Sequence, residues 1–221
     1  MPEERPMPRL LIVRHGQTEW SQNGRHTGFS DIPLTEHGLQ QVKKIAPHLV
    51  GDGLLIDPKN LCTAFVSPRQ RARKTFELLF EHIGELPKHV FTEEVGEWDY
   101  GDYEGLTSAE IKKLNPTWNI WNDGCPGGES VEAMEARVDG IIKKVREHHQ
   151  QYKEGKVDTR DVLIVAHGHF NRVLISRWIN FSLCLGTHFN VEPASVAVLG
   201  YNHNSLAEPA LNGLNLSAVF A

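Results

Sequence analysis

The chain has 221 residues, 40% of them hydrophobic and 23% charged, which is ordinary for a globular protein with room for a full core. Its 23 basic and 28 acidic side chains leave a net charge of −5, which disfavours nucleic acid or an anionic membrane surface as the main partner. Any anion must be held by a local cluster of positive groups.

The N-terminal MPEERPMPRL is polar and proline-rich and lacks the apolar stretch of a signal peptide, and no apolar run approaches bilayer length. Cys62, Cys125 and Cys184 are far apart, with no C-x-x-C, and read as free thiols in a reducing compartment. A cytoplasmic protein is expected.

In chain order, Leu10–Val13 is a run of branched aliphatics, the pattern of a strand buried on both faces, and it ends in Arg14-His15-Gly16. Thr35 then caps a helix with Leu39, Val42, Ala46 and Leu49 on one face, and Pro47 should kink it. Thr63–Val66 is a second strand. After it, Ser67 is placed to cap a helix with Pro68 in its first turn, leaving free N–H groups suited to an anion, with Arg69, Arg71 and Arg73 nearby. Helical spacing cannot aim all three arginines one way, so one is expected to face the crevice.

Glu93–Gly105 (EEVGEWDYGDYEG) has no periodicity and reads as an acidic loop. Thr107 and Glu110 form a capping box, and Ser130 opens a long helix with Val131, Met134, Val138, Ile141 and Val145 at helical spacing, ending near Gly155. His148 and His149 on that helix are expected to be solvated. Asp161–Ala166 is a third buried strand, followed by His167-Gly168-His169 and a helix; Ala194–Tyr201 is a late strand, and the Asn- and Leu-rich tail has no readable pattern. Strands alternating with helices predict one α/β domain over residues 1–221, core about 9–205, in which a mostly parallel central sheet is covered by helices on both faces as a three-layer sandwich.

In such sheets, ligands bind beyond the carboxyl ends of the strands. Arg14-His15, Ser67–Arg73 and His167–His169 all fall there, so they are candidates for one pocket. Arginines from different strands beside two histidines make a site for a dianion, most plausibly phosphate. A histidine there either binds phosphate or attacks phosphorus through a neutral ring nitrogen, with the other N–H accepted by backbone close to Gly16. A carboxylic acid from the Glu93–Gly105 loop would suit protonation of the leaving group. Spacing also leaves open a metal site from His15, His167 and His169, although arginines beside a cation are poorly placed. No G-x-S-x-G is present, which weakens a serine nucleophile.

Five blocks, LIVRHGQTEW, TGFSDIPLTEHG, SPRQRARKT, EWDYGDYEG and VAHGH, occur in one order from Leu11 to about Asn171. Together they resemble the histidine phosphatase superfamily, which includes cofactor-dependent phosphoglycerate mutases and fructose-2,6-bisphosphatases. The resemblance implies a phosphoglycerate mutase-like fold and metal-independent hydrolysis without a cofactor. It implies His15 as the nucleophile that becomes phosphohistidine, Arg14, Arg71 and His167 as the rest of the phosphate pocket, and Glu97 as the acid before Tyr100-Gly101. Thr27 and Gly28 match a stretch that meets substrate, Gly168 lies beside the second catalytic histidine, and Ser21 stands where the mutases carry asparagine.

The mutases' paired-arginine segment after the acid is missing: there is no arginine from Lys113 to Ser130, which favours net hydrolysis over transfer. The blocks EWDYGDYEG, WNIWNDGC, AHGHF and YNHNSLAEPAL resemble sedoheptulose 1,7-bisphosphatase-like enzymes of the superfamily. That resemblance points to a phosphorylated sugar, with Tyr100, Asp102, Glu104, Trp118, Trp121 and His169 as its contacts, although both tryptophans also suit a core. The short stretch after His169 favours a monophosphate over a bisphosphate. A phosphoglycerate mutase and a non-catalytic phospho-ligand binding module are the alternatives, and a homo-oligomer stays open.

Overall fold

The computed structural model describes residues 5–216. One six-stranded sheet runs through it in the order β3-β2-β4-β1-β5-β6. Its strands are β1 (Leu10–Arg14), β2 (Leu61–Val66), β3 (His89–Phe91), β4 (Asp161–Ala166), β5 (Val196–Tyr201) and β6 (Pro209–Gly213). β1 pairs parallel with β4, and β2 pairs parallel with both β4 and β3, whereas β5 runs antiparallel to β1 and to β6. The α/β class and mostly parallel sheet are as expected. The three-residue β3 and the edge strand β6 were not legible. Both are edges, with too few consecutive apolar positions to stand out against neighbouring loops.

Alternation along β1 explains the layers. Leu10 and Ile12 point into one core with α6 (Val131–Lys153) and α7 (Gly168–Trp178); Leu11 and Val13 point into the other with α2 (Glu36–Leu49) and α3 (Gln70–Phe80). β4 repeats the split, Ile164 on the first side and Leu163 and Val165 on the second, so both central strands need apolar residues at every position. Arg9 and Arg160 both pair with the buried carboxylate of Asp161 at the opposite, N-terminal end of β4.

Most expected caps are present. Thr35 accepts the Gly38 N–H, Thr107 and Glu110 cap α4 (Ser108–Leu114) reciprocally, and Ser130 accepts the Ala133 N–H. Pro47 falls in the last turn of α2, where its missing N–H forfeits one bond near the helix end. Two short helices, α1 (Glu19–Asn23) and α5 (Ile120–Asp123), sit in stretches that carried no periodicity.

Two expectations are overturned. His149 is fully buried, its Nδ1 2.8 Å from the Tyr201 hydroxyl and its ring against Trp178, and burial lowers its pKa to about 3. A polar pair of histidines in sequence hid the fact that adjacent helix positions face differently. Ser67 does not cap α3 either: the helix begins at Gln70, whose N–H donates to Asp31 Oδ1 at 2.7 Å. A carboxylate of the protein thus takes up the α3 end that seemed open to an anion.

The three cysteines are free thiols. Among the described residues, no helix is long and apolar enough to cross a membrane.

Gly38 fixes how α2 meets the loop after β1. A Cβ there would lie 2.9 Å from the Gln17 amide nitrogen and closer still to its carbonyl oxygen, and neither backbone atom can move aside cheaply. Gly38→Ala is therefore expected to cost about 2 kcal/mol of stability in urea unfolding, an overpacking cost. It should also lower activity, because Gln17 is two residues from His15.

Candidate active site

β2, β4 and β1 lie side by side, so their carboxyl ends bring Ser67, His167 and His15 together. The His15 N–H donates to the Ala166 carbonyl and the Ser67 N–H to the Val165 carbonyl, extending the ladder one residue past each strand. The His15 and His167 rings meet edge-on, centroids 5.1 Å apart.

His15 Nδ1 lies 2.7 Å from the Gly16 carbonyl oxygen. A carbonyl only accepts, so Nδ1 carries the proton and Nε2 keeps a lone pair. The Gly16 N–H in turn donates to Thr75 Oγ1. A Cβ on Gly16 would stand 3.0 Å from the Gly38 carbonyl oxygen and 3.1 Å from Val42 Cγ2, so a larger residue would require α2 to give way by a few tenths of an ångström. Burial first, then the Arg71 and Arg14 charges, hold the His15 pKa well below 6.5, so the imidazole is neutral at physiological pH.

Arg71 is the arginine of its segment that turns inward. It is fully buried, and its Nε donates to His167 Nδ1 while Nη1 and Nη2 donate to the carbonyls of Ser30, Thr27 and Gly28. An arginine can only donate, so His167 Nδ1 is the acceptor and Nε2–H donates to Ser67 Oγ at 2.7 Å. Both His167 nitrogens are thereby used, leaving none to bind a metal. Among the described residues, no group of three or more His, Cys, Asp or Glu is arranged to hold a metal ion. Arg69 pairs instead with Glu93 and lies over Phe29, and Arg73 lies over Phe91.

Arg14 donates through Nη1 to the Val191 carbonyl, and its Nε is buried without a hydrogen-bond partner. Glu97 accepts the His169 and Phe170 N–H groups at the start of α7, at 3.0 and 2.8 Å, and the Trp98 N–H at 2.9 Å. Arg14, His15 and Glu97 all line a cavity of about 710 Å³.

The remaining expected contacts divide. Thr27, Tyr100, Trp118, Trp121, Gly168 and His169 line the same cavity. Tyr100 and His169 meet hydroxyl to Nδ1 at 2.7 Å, and burial, then Arg172, holds the His169 pKa well below 6.5. Ser21 also lines it, but its hydroxyl donates to the Thr18 carbonyl in a capping box, so that proton is already used.

Gly28, Asp102 and Glu104 do not line this cavity. The Gly28 N–H and the Ser30 N–H are both bound by the Glu104 carboxylate, and the Gly28 carbonyl is bound by Arg71. Asp102 is exposed and packs near Gly127. Arg71 and His167 are likewise behind His15 and not on the cavity wall. His167 meets the His15 ring edge-on, and Arg71 holds His167.

Three cations on the wall were missed: Arg25, Lys112 and Arg172. Arg172 lies over the Trp121 ring and donates to the Gly186 and Thr187 carbonyls. Its place four residues after Gly168, one turn along the same helix face, is a signal that was available in the sequence. With Arg14 they make four cationic side chains against one carboxylate, Glu97. The missing arginines between Lys113 and Ser130 are thus offset from α4, α7 and the loop after α1.

The family model of the histidine phosphatase superfamily (branch 1) matches residues 10–213, the whole of the sheet. The chain belongs to the histidine phosphatase superfamily. Within this superfamily it is 40% identical over 195 residues to an acid phosphatase of Mycobacterium tuberculosis, covering 88% of this chain and 87% of that one. It is 30% identical to the sedoheptulose 1,7-bisphosphatase of Saccharomyces cerevisiae, covering 92% of this chain and 91% of the other. The solved structure of an open reading frame product of Mycobacterium tuberculosis superposes with a TM-score of 0.79 at 35% identity, over 95% of this chain and 97% of that one. As a histidine phosphatase with phosphatase relatives along most of its length, the chain is a phosphoric monoester hydrolase.

The buried histidines should report their neutrality directly. In an NMR titration, His15 is expected to show the Nδ1–H tautomer and no protonation at pH 6.5, whereas exposed His203, whose pKa is raised by Glu208, is expected to titrate above it. Arg71→Gln should move the His15 titration up in pH. Unfolded histidines titrate near 6.5 and His15, His149, His167 and His169 lower, so the unfolded chain binds more protons in between. Stability should therefore fall as the pH drops below about 6.5, by up to about 1.4 kcal/mol per pH unit for each such group.

Proposed function

We propose that this single-domain phosphatase hydrolyses the phosphate esters of sugars, mono- or bisphosphates, through a phosphohistidine at His15. The observation that carries the reading is a neutral, tautomer-fixed imidazole beside Arg14, at the base of a cavity with four cations and one carboxylate. Arg14 has an unpartnered Nε–H for a phosphate oxygen, and Arg71 and His167 flank the nucleophile from behind.

His15 Nε2 attacks phosphorus as the bond to the ester oxygen breaks, and Glu97 gives its proton to that oxygen. Glu97, now a carboxylate, takes a proton from water; the water oxygen bonds to phosphorus, the N–P bond breaks and inorganic phosphate leaves. The guanidinium charges of Arg14 and Arg71 offset the charge that develops on the transferring group.

The sugar part of the reading is supported by Trp118, Trp121, Tyr100 and His169 on one wall, since aromatic faces suit a polyol and the polar edges its hydroxyls. Arg25, Lys112 and Arg172 at the same cavity provide for a second anionic group, which favours including bisphosphates. The names of two relatives agree in kind: the yeast sedoheptulose 1,7-bisphosphatase, and a mycobacterial glucosyl-3-phosphoglycerate phosphatase whose structure matches at a TM-score of 0.75 and 25% identity, over 95% of this chain and 99% of that one.

Phosphate release from a panel of sugar mono- and bisphosphates, with and without EDTA, tests the reading. Release unaffected by EDTA is expected. Exchange of phosphate between phosphoglycerates without net release would instead identify a mutase, and binding without turnover a recognition module. His15→Ala should abolish turnover and the acid-labile phosphoenzyme; substantial residual activity would remove the nucleophile assignment. Glu97→Gln should slow phosphoenzyme formation from alkyl phosphates about 10²- to 10⁴-fold, the usual range for a general acid, and from aryl phosphates far less.

A further inference from the structure

The acid segment is gripped from behind by one side chain of α6. Arg137 donates from Nη1 to the Gly96 carbonyl at 2.8 Å and the Glu94 carbonyl at 3.3 Å, and from Nη2 to the Glu97 carbonyl at 3.4 Å. Its other edge, Nε and Nη2, makes a two-pronged bond to the Glu129 carboxylate at 2.8 and 2.7 Å. Both partners are largely buried, at 20% and 13% side-chain exposure. A planar guanidinium presents five N–H donors in a fixed fork, enough for three carbonyls and a two-pronged carboxylate bond, whereas an ammonium has three on one point charge.

The same guanidinium lies over the Phe170 ring, 5.5 Å from its centroid. Phe170 is the residue whose N–H donates to Glu97 Oε1. Arg137 thus touches both ends of the acid's support: the backbone from which Glu97 projects, and the residue whose amide holds its carboxylate. Glu129 closes the arrangement, since its N–H donates to the Asp99 carbonyl and its carbonyl accepts the Trp98 indole N–H. Of these groups only Glu97 lines the cavity shared by Arg14 and His15; Arg137, Glu129 and Phe170 do not.

We propose that Arg137 is a positioning residue for Glu97, setting where the acid's carboxyl stands relative to the ester oxygen. It does not meet substrate. The inference rests on the acid role read above for Glu97, and it predicts a signature that a merely structural arginine would lack. Loss of acid placement slows formation of the phosphohistidine only where the leaving group needs a proton, whereas the water step that follows is shared by all substrates. The alkyl-to-aryl ratio of phosphoenzyme formation in a single turnover is therefore the readout, with substrate affinity unchanged.

The test compares Arg137→Gln and Arg137→Lys with Glu97→Gln on an alkyl and an aryl phosphate, with thermal unfolding of each protein measured alongside. Arg137→Gln should lower the single-turnover rate of phosphoenzyme formation from the alkyl phosphate about 10- to 100-fold, part of what the acid supplies, with that rate on the aryl phosphate and the affinity for both near the parent's. Arg137→Lys should shift the alkyl-to-aryl ratio in the same direction, and it carries the test alone if the glutamine variant does not fold. Added to Glu97→Gln, Arg137→Gln should slow the alkyl substrate no further.

Equal losses on both substrates, or a full further loss in the double variant, would overturn the positioning role while leaving Glu97 as the acid. Equal losses in Glu97→Gln itself would instead remove the acid role, and this proposal with it.

Discussion

The hydrogen bond from His15 Nδ1 to the carbonyl of Gly16 is the constraint around which the site is arranged. A nucleophilic imidazole must be neutral, must have its proton on the far nitrogen and must not rotate. One bond of 2.7 Å satisfies the second and third conditions. The first is met by burial and by two guanidinium groups, which make a further positive charge on the ring unfavourable. The close turn at Gly16, the approach of Gly38 to Gln17 and the Thr75 hydroxyl all serve to hold that carbonyl in place.

Placing two arginines beside a histidine creates a second problem, since buried charge is costly without partners. Arg71 is satisfied by three backbone carbonyls and the His167 ring, and Arg14 by the Val191 carbonyl, with no direct ion pair from either to a carboxylate among the described residues. Neutral partners spread the charge without cancelling it, so the positive field remains available to a phosphate. The carboxylates nearby have other tasks. Glu104 holds the loop that supplies carbonyls to Arg71, Glu129 holds Arg137, and Glu97 bridges the start of α7 and the cavity.

Much of this was legible in the chain. The all-apolar runs of β1 and β4 announced central strands because both faces of a central strand need apolar side chains, and the carboxyl-end rule then grouped Arg14, His15, Ser67 and His167. The caps at Thr35, Thr107 and Ser130 were legible because capping depends on residues three positions apart. What failed had non-local causes. Ser67 was assigned to its own helix, yet its hydroxyl goes to His167, one hundred residues away, and Asp31 takes the helix end instead. His149 looked solvated until Tyr201 and Trp178 folded over it.

The sequence by itself determined the mostly parallel sheet and put Arg14, His15 and His167 at the carboxyl ends of its central strands. Those depend on local patterning and on motifs contiguous in the chain. Only the tertiary structure decided which acids of that loop face the cavity: Glu97 does, while Asp102 and Glu104, five and seven residues on, do not. The same holds for Arg25, Lys112 and Arg172, which gather from three separate segments. In an irregular loop successive side chains have no fixed period, so their directions follow from what packs against the backbone, and that is known only when the whole chain is folded.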